Sequence, residues 1–265
     1  MMSVLKKFSL GVGKLIVLLL FWGAIWFLLS YRIANDFLFP SPKTVFEALG
    51  ELLGTQGFWL TASISLLRVV WGILISLILG TAIACLTSIS RICDFLIRPV
   101  ITAVKSTPVA SFIILALLWL ERSTLPVFIT ALIVVPIVWA NVSEGIGAVD
   151  RELSEVAMLY RFSTTKKLHR LYVPSIAPYF FAACQSSLGM AWKAGIAAEI
   201  LSTPDHSIGK ELYYSKTYLE TPNLFAWTLV VIVLSLIIEK CFLFALNRLG
   251  RKFRILPKGE SYANS

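Results

Sequence analysis

Charge is scarce in this chain. Asp, Glu, Lys and Arg make up 15% of its 265 residues, against about 25% in a soluble domain. That shortage argues against a soluble globular domain and against a disordered tail. Histidine is scarcer still: His169 and His206 sit far apart in polar stretches, and neither has a second His or a Cys at ligand spacing. No metal site is expected. The four cysteines, Cys85, Cys93, Cys184 and Cys241, lie in or beside apolar runs and form no CxxC pair. They read as small core residues with reduced thiols, not as a disulfide scaffold. A phosphate cradle of the form G-x-x-x-x-G-K-[ST] is also missing. Gly11-Val12-Gly13-Lys14 lacks the spacing and runs straight into an apolar segment.

What the chain has is apolar sequence. Hydrophobic residues are 57% of it, and its mean hydropathy is +0.80. Lys and Arg number 24 against 15 Asp and Glu, a formal net charge of +9. That excess must sit on the small polar remainder between apolar runs. No nucleic-acid partner is expected; in a membrane protein, cationic excess belongs on cytoplasmic loops. The expectation is one membrane domain over residues 1–265, all-α and polytopic.

A membrane-crossing helix needs about 20 mostly apolar residues. Six runs qualify or nearly do: residues 15–30, 69–89, 108–120, 125–140, 176–200 and 224–246. Lys6, Lys7 and Lys14 ahead of the first run imitate a signal peptide, but Tyr31-Arg32-Ile33 follows instead of a cleavage site. The first run is therefore read as an uncleaved span. An amphipathic stretch at 59–67 leads into the second run, with Arg68 at the boundary. The third run is too short alone; it is expected to begin near Pro99, with Pro108 kinking it. Pro126 suits the first turn of the fourth, and Pro136 would kink it.

Six spans put both ends on one side. Lys6, Lys7 and Lys14; Arg91, Arg98 and Lys105; Arg151, Arg161, Lys166, Lys167 and Arg170; and Arg248, Arg251, Lys252, Arg254 and Lys258 all fall on that side. Basic residues on the other side are fewer and mix with Asp36, Glu47, Glu51, Glu121, Asp205, Glu211 and Glu220. This bias predicts cytoplasmic termini and a cytoplasmic loop at about 150–174.

That loop is the most informative segment. Asp150 is a candidate N-cap, and Glu152 and Glu155 suit a first turn. Leu153, Val156, Ala157 and Tyr160 repeat at i, i+3, i+4 and i+7, one apolar helix face. Ser163 is placed to cap a second short helix through Leu171, and Pro174 and Pro178 punctuate the approach to the fifth run. A helix-turn-helix results. Its apolar face suits docking into a partner's groove or, equally, lying on lipid headgroups.

Glu155-Val156-Ala157 followed by Leu171-x-Val173-Pro174 resembles the EAA loop of ABC importer permeases, roughly E-A-A, three residues, G, nine residues, I-x-L-P. The likeness extends along the chain. Phe39-Pro40-Ser41-Pro42-x-x-Val45, Ser65-Leu66-x-Arg68-Val69-x-x-Gly72, Pro108, Ala191-Trp192, Ala198-Glu199 and Ile208-Gly209 are similar, in that order, to segments of the nitrate/sulfonate/taurine permease family. Two positions depart from the pattern. Arg161 stands where the loop has Gly, at a bend where a non-Gly residue at positive φ costs about 1–2 kcal/mol; a differently built bend is expected. Trp119-Leu120-Glu121-Arg122 replaces the tryptophan-phenylalanine-glycine after the third span.

The resemblance implies a type I importer fold with six membrane helices in a bacterial-type cytoplasmic membrane. It implies a cytoplasmic ATPase subunit that binds the ATP and Mg, an extracytoplasmic substrate-binding protein and a second permease copy, with no cofactor and no catalysis on this chain. Glu155, Val156, Ala157, Tyr160, Arg161 and Pro174 would form the ATPase-coupling loop. Within the fifth run, Lys193 either lines the path and favours an anion or snorkels toward the headgroups or a nearby carboxylate. Glu199 matches a family position near the outer end, which suits a structural or gating role. The competing reading is a secondary transporter or channel coupled to an ion gradient. It would want paired intramembrane carboxylates, and Lys193 is the one charge expected deep in a run.

Overall fold

The computed structural model describes residues 2–252; Arg254 and Lys258, counted above among the basic residues, lie outside them. Among the described residues every regular element is helical. In chain order they are α1 (Met2–Ile33), α2 (Pro42–Leu53), α3 (Gln56–Ile89), α4 (Arg91–Ser106), α5 (Val109–Ala116), α6 (Leu125–Gly147), α7 (Arg151–Leu159), α8 (Thr164–Lys167), a π turn (Leu168–Tyr172), α9 (Val173–Ser202), α10 (Ile208–Thr217) and α11 (Thr221–Lys252).

Two packed units arise. The first comprises described residues up to Leu60 together with Glu211–Val231. Its α2 starts where the sequence favours a start. Ser41 Oγ accepts from Thr44 N at 3.2 Å, and Pro42 occupies the first turn, where a missing N–H costs nothing. Val45, Ala48 and Ala226 form its core, with Trp26 and Phe225 against them. Trp26 Nε1 donates to Pro40 O at 3.0 Å, so the half-buried indole keeps a partner.

The second unit comprises Thr61–Lys210 and the described residues from Ile232 onward. α6 packs along α9. The helices of this unit approach so closely that glycine is required at the crossings. A Cβ at Gly72 would lie 2.6 Å from Thr130 Cβ, and one at Gly195 would lie 2.6 Å from Val69 Cγ2. Ile113, Ala116, Leu125, Ile129, Ala194 and Ala198 form a buried cluster from α5, α6 and α9.

Three described helices are long and apolar enough to cross a membrane: α3, α6 and the Thr221–Leu246 part of α11. A fourth arises if α4 and α5 count as one broken span. The apolar part of α1, Leu20–Ile33, is shorter. Thus the all-helical membrane architecture holds, with three to four of the six expected crossings distinct by length and hydropathy.

The expected kink at Pro108 is a break. α4 and α5 meet at 105°. The proline ring disfavours helical backbone in the residue before it, and Thr107 is accordingly extended at φ −85, ψ 135. The supposed loop carrying Arg91, Arg98 and Lys105 is itself α4. Ser90 Oγ accepts from Cys93 N at 3.3 Å to cap it, and Arg98 pairs with Asp94 one turn away. Likewise the lead-in at 59–67 and the second apolar run are one helix of 34 residues, so Arg68 lies well inside it. α6 contains Pro136 and continues seven residues past the expected end, to Gly147.

Candidate functional site

The loop at 150–174 begins as its sequence suggests. Asp150 Oδ1 accepts from Glu152 N at 2.8 Å, capping α7. At the other end the chain turns through Arg161, whose φ is +49. Arg161 N donates to Met158 O at 2.9 Å and Phe162 N donates to Ala157 O at 2.9 Å. This pair of bonds is the Schellman helix stop, which normally seats glycine. The bend is therefore the one glycine would make, with Arg161 strained into it; the expectation of a different bend does not hold. Satisfying the last carbonyls of α7 outweighs the steric cost.

The burial of α7 divides its apolar residues. Ala157 is 5% exposed, covered by its own chain, whereas Val156 is 47% exposed. Leu153, Leu159 and Tyr160 are exposed too. A partner would therefore meet Val156, Leu159 and Tyr160, not Ala157. Glu155 is also exposed. Beyond the bend, Ser163 Oγ accepts from Lys166 N at 3.4 Å and opens α8. Pro174 does not end the second helix. The preceding turn widens to a π turn, in which Val173 N donates to Leu168 O five residues back. The widened turn carries the helix past Pro174, and α9 follows without interruption. Pro178 lies inside α9.

At the far end of α9 lies a buried polar cluster. Glu199 is fully buried, a position a carboxylate tolerates only with strong partners. Ser65 Oγ donates to its Oε2 at 2.8 Å. Gly209 N donates to the same oxygen at 3.2 Å. Arg68 Nη1 pairs with Oε1 at 3.2 Å, and the Arg68 side chain is 13% exposed. The same guanidinium holds the connection between α9 and α10: Nη1 donates to His206 O at 3.2 Å and Nη2 to Asp205 O at 2.9 Å. Ser65 Oγ in turn accepts from Ile208 N at 2.9 Å. Two side chains one helical turn apart on α3, and one on α9, thus fix the 203–209 segment. A Cβ at Gly209 would overlap the Glu199 backbone, so glycine is needed at this approach. Outside the cluster, Lys210 Nζ bonds Asp205 Oδ1. That hydrogen bond, reinforced by the Lys210 charge, holds the exposed Asp205 carboxyl below the usual carboxylate range.

Sequence reasoning singled out Glu199 but put Arg68 at a helix boundary and missed the pair. A signal existed: Ser65 and Arg68 at i, i+3 share a helix face, and a carboxylate in an apolar run requires a cation. Lys193 is exposed on α9 between buried Trp192 and Ala194. Glu199 takes Arg68 as its cation, and among the described residues Lys193 has no carboxylate in ion-pair range.

An all-helical chain with several helices long and apolar enough to cross a membrane has the makings of a polytopic membrane protein. The family model described as binding-protein-dependent transport system inner membrane component matches residues 72–255. The chain belongs to that family. It is 30% identical over 156 residues to the bicarbonate transport system permease protein CmpB of Synechococcus elongatus, covering 57% of this chain and 55% of that protein. It thus spans just over half the length of that relative. It is 28% identical over 197 residues to the nitrate import permease protein NrtB of the same species, covering 70% of each. It is 24% identical over 195 residues to the putative aliphatic sulfonates transport permease protein SsuC of Bacillus subtilis, covering 73% of this chain and 70% of that one. In fold it is similar to a chain from the crystal structure of an amino acid ABC transporter with histidines, with a TM-score of 0.55 at 17% identity, over 85% of this chain and 98% of that one.

Proposed function

We propose that this chain is the membrane-crossing permease subunit of an ATP-binding cassette importer for a small anion. It crosses a bacterial cytoplasmic membrane six times with both termini inside. It forms the substrate path as one of two identical copies, receives substrate from an extracytoplasmic binding protein, and leaves ATP and Mg to a cytoplasmic ATPase. The observation that carries this reading is the loop at 150–174. α7 is fixed at both ends by its own hydrogen bonds, yet it leaves Val156, Leu159 and Tyr160 uncovered. A short rigid helix with an uncovered apolar face suits a groove on a second protein.

In this reading Glu155, Val156, Tyr160 and Arg161 lie at the ATPase contact, Ala157 braces α7 from inside, and Pro174 lies in the first turn of α9. Closure of the ATPase pair on ATP shifts α7 as a body. The shift passes through α8 and the π turn into α9 and opens the path outward; hydrolysis returns it. An anionic substrate is supported by the relatives named for bicarbonate, nitrate and aliphatic sulfonates. Lys193 supplies a cation that favours such a substrate.

The test is purification of a tagged chain from cells that also make its partner subunits. The native chain is expected to bring down an ATPase. Val156→Asp puts a charge on the docking face without touching the chain's own core, and should lose the ATPase while still inserting in the membrane. Retention of the ATPase by Val156→Asp overturns the coupling assignment.

A further inference from the structure

The helical path from Thr164 to Ser202 is unbroken: α8, the π turn and α9 follow one another without a coil residue. At about 1.5 Å per residue it extends on the order of 55 Å. One end lies beside the α7 bend, and Glu199 lies one turn from the other. What Glu199 holds is not a second helix alone. Arg68 donates to Asp205 O and His206 O of the 203–209 segment and Ser65 accepts from its Ile208 N, and Glu199 fixes both side chains.

The gripped segment is strained. Thr203 at φ +46 and His206 at φ +48 both occupy the left-handed region without being glycine, which L side chains disfavour. Such backbone persists only where surrounding bonds over-determine it. A fully buried carboxylate that loses its cation is strongly unfavourable, so Glu199 either keeps Arg68 or must find another partner.

We propose that Ser65, Arg68 and Glu199 form a latch that holds the 203–209 segment against α3 in the resting transporter and releases it when the ATPase subunits close on ATP. They act as positioning residues: α9 draws Glu199 away from Arg68, the guanidinium loses its alignment, and the strained segment relaxes away from α3. This inference rests on the import reading, and it adds the element through which movement of α9 reaches the opposite side of the membrane.

The experiment uses the full chain in complex with its co-purifying ATPase. Cys85, Cys93, Cys184 and Cys241 are replaced by Ala, and Ser202→Cys is the reporter. Ser202 is buried on the same end of α9 as Glu199 and lies outside the latch, its hydroxyl donating to Ala198 O one turn back. A bulky maleimide is added with no nucleotide, or with ATP and orthovanadate. The latch predicts protection without nucleotide and labelling with ATP and vanadate. Equal labelling in the two states, high or low, overturns it. Ser207→Cys, buried within the 203–209 segment itself, serves as a second reporter if Ser202→Cys does not assemble, with the same two outcomes. Glu199→Gln adds a readout that a static brace would not move. Its release without ATP should raise basal hydrolysis and lower the ratio of binding-protein-stimulated to basal rate. Hydrolysis reduced equally in both conditions contradicts the latch. Failure of any ATPase to accompany the unaltered chain is a separate result, which refutes the import reading and the latch with it.

Discussion

Replacing Arg68 by Met keeps much of its alkyl stem and removes the guanidinium. Three bonds go: to Glu199 at 3.2 Å, to His206 O at 3.2 Å and to Asp205 O at 2.9 Å. Glu199 remains buried, with Ser65 and Gly209 as its donors and no cation. Removing one partner of a buried ion pair costs about 3–5 kcal/mol. The head of Arg68 touches solvent, so the low end applies, about 3 kcal/mol. For a chain of this size that corresponds to a fall in Tm of about 6–12 °C. The variant Arg68→Met/Glu199→Gln removes the stranded charge while the amide still accepts from Ser65 and Gly209, so it should regain most of the loss. The assay is thermal unfolding in detergent, followed by exposure of a buried thiol to a fluorogenic maleimide. An Arg68→Met protein melting within about 2 °C of the native one, or a double variant less stable than the single, would refute the electrostatic account of this cluster.

Other outcomes follow from the same geometry. Arg161→Gly should raise Tm by about 2–4 °C, because it releases about 1 kcal/mol of left-handed strain while the bonds to Met158 and Ala157 stay; a lower Tm would mean the Arg161 side chain contributes more than its backbone costs. Asp205, depressed by Lys210, stabilises the fold above its unfolded value, and that contribution vanishes as pH falls through the folded value. The Tm gap between the native protein and Lys210→Met should therefore be steady from about pH 6 to 8 and shrink toward about pH 3; a gap independent of pH would show that the ion pair does not contribute. Lys193→Met should lower anion uptake with the complex still assembled, and unchanged uptake would assign Lys193 to the headgroup region.

The parts of the fold governed by near neighbours were legible in the sequence. Long apolar runs announced α3, α6 and α11, and Asp150, with Glu152 after it, announced the start of α7. α4 was legible too, since Ile92, Phe95, Leu96 and Val100 repeat at helical spacing, but the interleaved Arg and Lys residues made it read as a loop. Local rules misled where a second demand won. Arg161 should avoid a glycine seat, yet the carbonyls of α7 need the cap. Pro174 should stop a helix, yet a π turn absorbs it. Ala157 is grouped with Val156 on one apolar face by spacing, yet the fold leaves Ala157 5% and Val156 47% exposed, a difference set by packing that spacing does not encode. The Arg68–Glu199 pair joins residues 131 apart in sequence; periodicity carries no information at that range.

The central claim, that this chain moves an anion with energy taken from ATP by a separate subunit, is tested most directly in proteoliposomes holding the purified complex, with its binding protein outside and radiolabelled bicarbonate, nitrate or an alkanesulfonate as cargo. The account predicts uptake of at least one of the three when ATP and Mg are enclosed, and none when a proton or sodium gradient is imposed without ATP. Uptake driven by either gradient in the absence of ATP would contradict it.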